Sequence, residues 1–245
     1  MPYNEAMQYD YRFVDSIDST NTALKQLAHG GAAEGTVLTA DAQTGGRGRL
    51  GRSFYSPPGS GLYTSLLLRP KLPVPPAALT CLAAVALAET VQAYGVDCRI
   101  KWVNDLYIGA KKAAGILVEG ALRPDGSLQY AVVGVGVNLS VPADLPAELA
   151  PIVTGVFGAP LDRPTRDAFL HRLWDRFAVY YDRLPKISFW EPYSRLQNVF
   201  GKAVSFTDGG VPKQGVAEAI DRDFRLLVRT ESGLVPLERG EVTFL

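Results

Sequence analysis

The sequence predicts an α+β protein: a mixed β-sheet flanked by helices over residues 1–199, followed by a small all-β unit over residues 200–245. Three observations carry this. Strand-like runs rich in β-branched and aromatic residues interleave with long helical stretches at 77–94 and 165–184. Breaks at Gly109-Ala110 and Pro124-Asp125-Gly126 make successive strands hairpin neighbours, which calls for a mixed or antiparallel sheet. From Gly201 onward the pattern changes to short strands separated by glycine-rich turns.

In chain order, 11–17 alternates as a first strand does. Asp18-Ser19-Thr20-Asn21 then crowds capping residues before a helix over 22–28, which Gly30-Gly31 stops. Ser19, Thr20 and Asn21 read both as an N-cap and as hydroxyl and amide groups that bind a small polar part of a ligand; the two readings are compatible. A strand at 36–40 leads through Asp41-Ala42-Gln43-Thr44 into Gly45-Gly46-Arg47-Gly48-Arg49-Leu50-Gly51-Arg52, which places Gln43 near whatever that loop encloses.

The loop sets three arginines on a backbone freed by four glycines. Glycine lets main-chain N–H groups approach phosphate oxygens, and arginine offers a permanently charged fork. The spacing Gly46-x-Gly48-x-x-Gly51 also satisfies the dinucleotide fingerprint, but Pro57-Pro58-Gly59 follows where that motif needs a helix. No Lys-Ser/Thr follows the last glycine, as a Walker loop requires. The stretch reads as an arginine-lined phosphate loop.

A strand at 61–69 ends at Pro70, and Pro75-Pro76 opens the Ala/Leu/Val-rich helix 77–94, buried and capped by Gly95. Strands follow at 98–102 and 106–108, at 114–119 and at 128–139, and 141–160 is Pro/Ala-rich. Thr165-Arg166-Asp167 caps the next helix, with Phe169, Leu170, Leu173, Trp174, Phe177 and Tyr180 on one face, and a shorter helix spans 189–198. Strands at 203–206, 215–221, 226–230, 234–237 and 241–244 make a small SH3-like β-barrel.

Lys+Arg and Asp+Glu both number 25, so no net charge draws the chain to nucleic acid or membrane. With no apolar run of about eighteen residues and no leader, the chain is expected to be cytoplasmic. Cys81 and Cys98 lack metal-ligand spacing and are read as buried free thiols. His29 and His171 fall on separate helices without a nucleophile motif, which argues against a Ser-His-Asp hydrolase.

Lys101-Trp102-Val103-Asn104-Asp105 puts a lysine, an amide and a carboxylate at a strand end, and Lys111-Lys112 opens the next strand. A solvated hairpin end explains Lys111. Nucleotide activation needs cations on the transferred phosphate, a carboxylate to organise Mg²⁺ or an amine, and a glycine for close approach; Lys101, Lys112, Asp105 and Gly115 have those types. Gly134 and Gly136 leave room beside a strand on which Asn138 offers a donor and an acceptor, or mark a bulged central strand.

Taken together, Ser19-Thr20-Asn21, the loop 46–52, Lys101 to Asp105, Lys112 to Glu119 and Gly134 to Asn138 resemble the bacterial biotin protein ligases, in that family's order and over almost the whole chain. The resemblance implies a class II synthetase-like catalytic sheet and a two-step reaction. Biotin and ATP give biotinyl-5′-AMP, and a lysine of a biotin carboxyl carrier protein then takes the biotinyl group. It implies biotin contacts at Ser19, Thr20, Asn21, Gln43, Arg47, Gly48, Arg49, Lys112 and Gly115. Adenylate contacts fall on Arg47, Arg49, Arg52, Phe54, Asn104, Lys112 and Asn138, and catalytic roles on Arg49, Lys101, Asp105 and Lys112, with Asp105 also toward Mg²⁺. Val103 departs from the family's usual proline, and Phe54 from an adenine-stacking tryptophan; neither change removes a charge.

Many relatives carry an N-terminal winged helix for DNA, whereas about ten residues precede the first strand here. The expectation is a monofunctional ligase, monomer or homodimer, without repressor activity, DNA or membrane partner. Two rivals stand beside it: a lipoate-protein ligase on the same architecture, whose loop usually reads differently from 45–54, and an RNA-binding module using the Arg/Gly loop, against which the balanced charge counts.

Overall fold

The computed structural model describes residues 7–71, 74–238 and 240–245, so the first six residues of the expected catalytic unit lie outside it. Strand β1 (Asp10–Ile17) is followed by helix α1 (Thr20–His29), β2 (Thr36–Gln43) and β3 (Gly61–Leu68). Helix α2 (Pro76–Gln92), β4 (Arg99–Lys101), β5 (Asp105–Ile108), β6 (Lys111–Leu122) and β7 (Leu128–Asn138) come next. Helices α3 (Arg163–Tyr181) and α4 (Trp190–Arg195) complete the first unit.

The seven strands form one sheet in the order β1-β2-β3-β7-β6-β5-β4. It is mixed, as the hairpin breaks predict: β1 and β2 are parallel, joined by α1 as a parallel crossover requires, and the remaining neighbours are antiparallel. Helix α2 is apolar nearly all round because it lies within the core, packed on the sheet and on α3 and α4. Cys81 and Cys98 are buried and free, and burial pushes both thiols up to about 12.

Several boundaries differ from the sequence reading. Helix α1 starts at Thr20 rather than 22, because Ser19 alone is the cap, its side chain accepting from Thr22 N. Helix α3 starts at Arg163, since Asp162 rather than Thr165 caps it: Asp162 Oδ1 accepts from Thr165 N at 2.9 Å, and Pro164 fits the first turn. It ends at Tyr181, and Tyr181, not Tyr180, completes the buried stripe.

The C-terminal unit contains β8 (Ala203–Asp208), β9 (Val211–Ile220), β10 (Leu226–Thr230), β11 (Gly233–Leu237) and β12 (Thr243–Phe244). Strand β9 begins four residues before the expected 215, because Gly209 and Gly210 at φ 56° and 83° make a two-residue hairpin turn. The sheet is antiparallel and ordered β11-β10-β9-β8-β12. This is consistent with the SH3-like unit expected; among the described residues its outer strands β11 and β12 do not pair with each other. No helix among the described residues is long and apolar enough to cross a membrane.

Candidate active site

The middle of the large sheet carries a cavity walled by the start of α1, the end of β2, the Arg/Gly loop and strands β3, β6 and β7. Ser19, Thr20, Asn21, Gln43, Arg47, Gly48, Arg49, Phe54, Asn104, Lys112 and Gly115 all line it. A second cavity adjoins it, shares Arg49, Phe54, Asn104 and Lys112, and adds Arg52, Lys101, Asp105 and, from the C-terminal unit, Glu241. Asn138 is in neither lining; it ends β7 opposite Gly61, and its carbonyl accepts from Val156 N at 2.8 Å.

The first cavity has a hydrogen-bonded polar wall. Gln43 Oε1 accepts from Thr20 N at 2.9 Å and from Thr20 Oγ1 at 3.2 Å, while Gln43 Nε2 donates to Ser56 Oγ at 3.1 Å. The buried Ser65 hydroxyl lies 2.8 Å from Thr20 Oγ1 and 2.7 Å from Asn21 Oδ1. Both amide hydrogens of Asn21 are used, on Leu117 O at 3.1 Å and Glu119 Oε2 at 3.0 Å. The room expected at the β7 glycines is already taken: a Cβ at Gly134 would lie 2.1 Å from Asn21 Oδ1, and one at Gly136 would lie 2.8 Å from the Phe54 ring.

Glu119 lines neither cavity but holds Asn21 and Arg47, which line the first, and the sequence reading gave it no role of its own. It pairs with Lys25 at 2.7 Å and Arg47 at 3.1 Å. Burial by itself would raise its carboxyl, but hydrogen bonds from Lys25 and Asn21 and the charges of Lys25 and Arg47 hold it below the ordinary carboxylate range. The available signal was a lone carboxylate within strand β6, after the apolar run 113–118.

The second cavity gathers cations. Arg49 Nη1 donates to Asn104 Oδ1 at 2.9 Å, and Asn104 Nδ2 donates to Ile116 O at 2.9 Å, which fixes the amide between loop and sheet. Lys112 Nζ is 2.7 Å from Asp105 Oδ1, close as an ion pair but not aligned as a hydrogen bond. Arg52 reaches Glu241 through both oxygens, at 2.8 and 2.6 Å. Lys101 is 8% exposed, 5.6 Å from the Tyr107 ring and 5.2 Å from the Phe244 ring, and burial pulls its pKa below the usual lysine value. Each loop arginine thus has its own partner, and the turn at Val103 is held from outside by the Tyr193 hydroxyl, which donates to Val103 O at 2.9 Å. Phe54 lines both cavities.

Such an arrangement can receive a molecule that is neutral and hydrogen-bonding at one part and anionic at another, next to a polyphosphate. Residues 13–138 match the Biotin/lipoate A/B protein ligase family, and residues 199–245 match the Biotin protein ligase C terminal domain. The chain is 32% identical over 246 residues to the bifunctional ligase/repressor BirA of Bacillus subtilis, covering 91% of this chain and 75% of that protein. It is also 32% identical over 246 residues to the biotin--[acetyl-CoA-carboxylase] ligase of Paracoccus denitrificans, covering 93% and 97% of the two chains. Biotin protein ligase from Aquifex aeolicus in complex with biotin and ATP superposes with a TM-score of 0.82 at 27% identity, covering 96% of this chain and 98% of that one.

Proposed function

The chain belongs to the Biotin/lipoate A/B protein ligase family and is an ATP-dependent biotin protein ligase; from that premise we propose that it forms biotinyl-5′-AMP and passes the biotinyl group to one lysine of a biotin carboxyl carrier protein in the cytoplasm. The catalytic unit is residues 1–199 and the C-terminal unit residues 200–245. In the first step a biotin carboxylate oxygen attacks the α-phosphorus of ATP, an O–P bond forms, and the α–β bridge breaks to release pyrophosphate. In the second, the lysine amine attacks the acyl carbon, AMP leaves with the C–O electron pair, and the amine gives up a proton.

The observation that carries this reading is the chemistry of the first cavity. Thr20 and Gln43 present hydroxyl and amide groups suited to the ureido ring, while Arg49 and Lys112 supply charge for the carboxylate and α-phosphate. A dithiolane ring has no use for that polar wall, which favours biotin over lipoate. Asn21 braces the wall, its amide already spent, and Arg47, Gly48 and Gly115 border the ligand. Phe54 faces the adenine. Arg52 and Lys101 screen the outer phosphates, and Asn138 lies toward the nucleotide beyond the cavity linings.

Asp105 and Glu241 line the second cavity, and Mg²⁺ is commonly held by one or two carboxylates plus substrate phosphates, so the donor set fits that ion. Bound there it would neutralise phosphate charge. Asp105 also orients the incoming amine, whose ordinary pKa of about 10.4 leaves little free base at neutral pH. Incubating the protein with ATP, a biotin carboxyl carrier protein and either biotin or lipoate, then weighing the carrier by mass spectrometry, tests the proposal. A carrier modified by biotin at one lysine is expected; modification by lipoate instead would move the assignment to the other branch of the family.

A further inference from the structure

We propose that Phe224, in the turn between β9 and β10, is a positioning residue through which the C-terminal unit holds the Lys101–Asp105 stretch in its reactive arrangement, an inference that rests on the ligase reading above. Phe224 has φ 64° and is 4% exposed. A bulky residue holds the left-handed region only where its surroundings over-determine it, and such residues gather at functional sites.

The surroundings here are explicit. The Asp221 carboxylate closes the turn, accepting from Asp223 N at 3.0 Å, Arg225 N at 2.9 Å and Arg225 Nε at 2.6 Å. The Phe224 ring leaves the C-terminal unit and stacks on Phe189, with centroids 5.4 Å apart and planes 3° apart, and meets Tyr193 edge-on at 6.1 Å. From this cluster two hydrogen bonds reach the two residues that separate Lys101 from Asn104. Trp102 Nε1 donates to Phe224 O at 3.0 Å, and the Tyr193 hydroxyl donates to Val103 O at 2.9 Å.

Lys101, Asn104 and Asp105 all line the second cavity, so a tilt of Trp102 and Val103 moves an ammonium, the amide that holds Arg49, and a carboxylate together. Thr20 and Gln43 come from α1 and β2, in the other half of the sheet, and biotin's ring contacts do not depend on the turn. The anchoring therefore predicts a defect in rate more than in biotin binding.

The test is biotin-dependent exchange of labelled pyrophosphate into ATP by the full chain, with kcat and the biotin KM measured at a temperature where each protein is folded. Phe224→Gly keeps the turn's backbone conformation accessible and deletes only the ring. We expect kcat to fall roughly tenfold with the biotin KM within about twofold of wild type. Tyr193→Phe, which removes one hydroxyl from the opposite side of the cluster, is expected to lower kcat in the same way and decides the matter if Phe224→Gly does not fold. Unchanged kcat in a folded variant, or a biotin KM that rises in step with the loss of kcat, overturns the proposal. Absence of exchange in the wild-type protein would instead overturn the ligase reading on which it stands.

Discussion

Arg49 and Lys112 stand where the two cavities meet, and their charges face ligand space rather than the core. Replacing either by alanine should lower adenylate formation by about a hundredfold or more, the scale of losing one placed charge stabiliser, while leaving the melting temperature close to wild type. A large fall in melting temperature with unchanged rate would reassign them to structure. Glu119 predicts a pH effect on stability. Its folded carboxyl lies below the ordinary 4.5, so its contribution is present above that value and is lost as pH falls through the folded one. Denaturation midpoints should place Glu119→Gln below wild type at neutral pH, with the gap closing under acid; a gap constant down to low pH would contradict the assigned pairing. Residues such as Arg49, Lys112 and Gln43 were legible because their charge or polarity is unusual beside glycines or apolar strands. Glu119 was not, because its partners Lys25 and Arg47 are distant in sequence.

At the scale of elements, the Arg/Gly loop is pinned at separate points, by Arg47 to Glu119, Arg49 to Asn104 and Arg52 to Glu241, while Leu50 between them sits exposed at φ 56°. Arg47–Glu119 and Arg52–Glu241 are ion pairs whose arginines are largely exposed, and such pairs contribute little, about 0–1 kcal/mol each, so the loop is held weakly until phosphates add stronger contacts. Trypsin cleavage after Arg47, Arg49 or Arg52 should therefore slow when biotin and ATP are both present; equal rates with and without them would show that the loop does not close on ligand. The loop was readable from composition, since glycine and arginine advertise what they do. Helix starts were less so, because Asp162 and Thr165 are both good caps and only the chain's path selects between them. Strand β9 was cut short in the sequence reading because Pro212 and Lys213 look unlike strand residues.

At the scale of the molecule, composition and hairpin breaks revealed a mixed sheet followed by an all-β unit, but not the strand order, which depends on pairings such as β3 with β7 across more than sixty residues. Nor did any local pattern announce that Glu241 and Phe244, near the end of the chain, meet Arg52 and Lys101. The proposed function requires these units together to build one site in which biotin's carboxylate meets the α-phosphate of ATP. Exchange of labelled pyrophosphate into ATP measures that step without an acceptor protein. Exchange should require biotin and be abolished when biotin is omitted; no exchange with biotin present, or exchange indifferent to it, would refute a shared site.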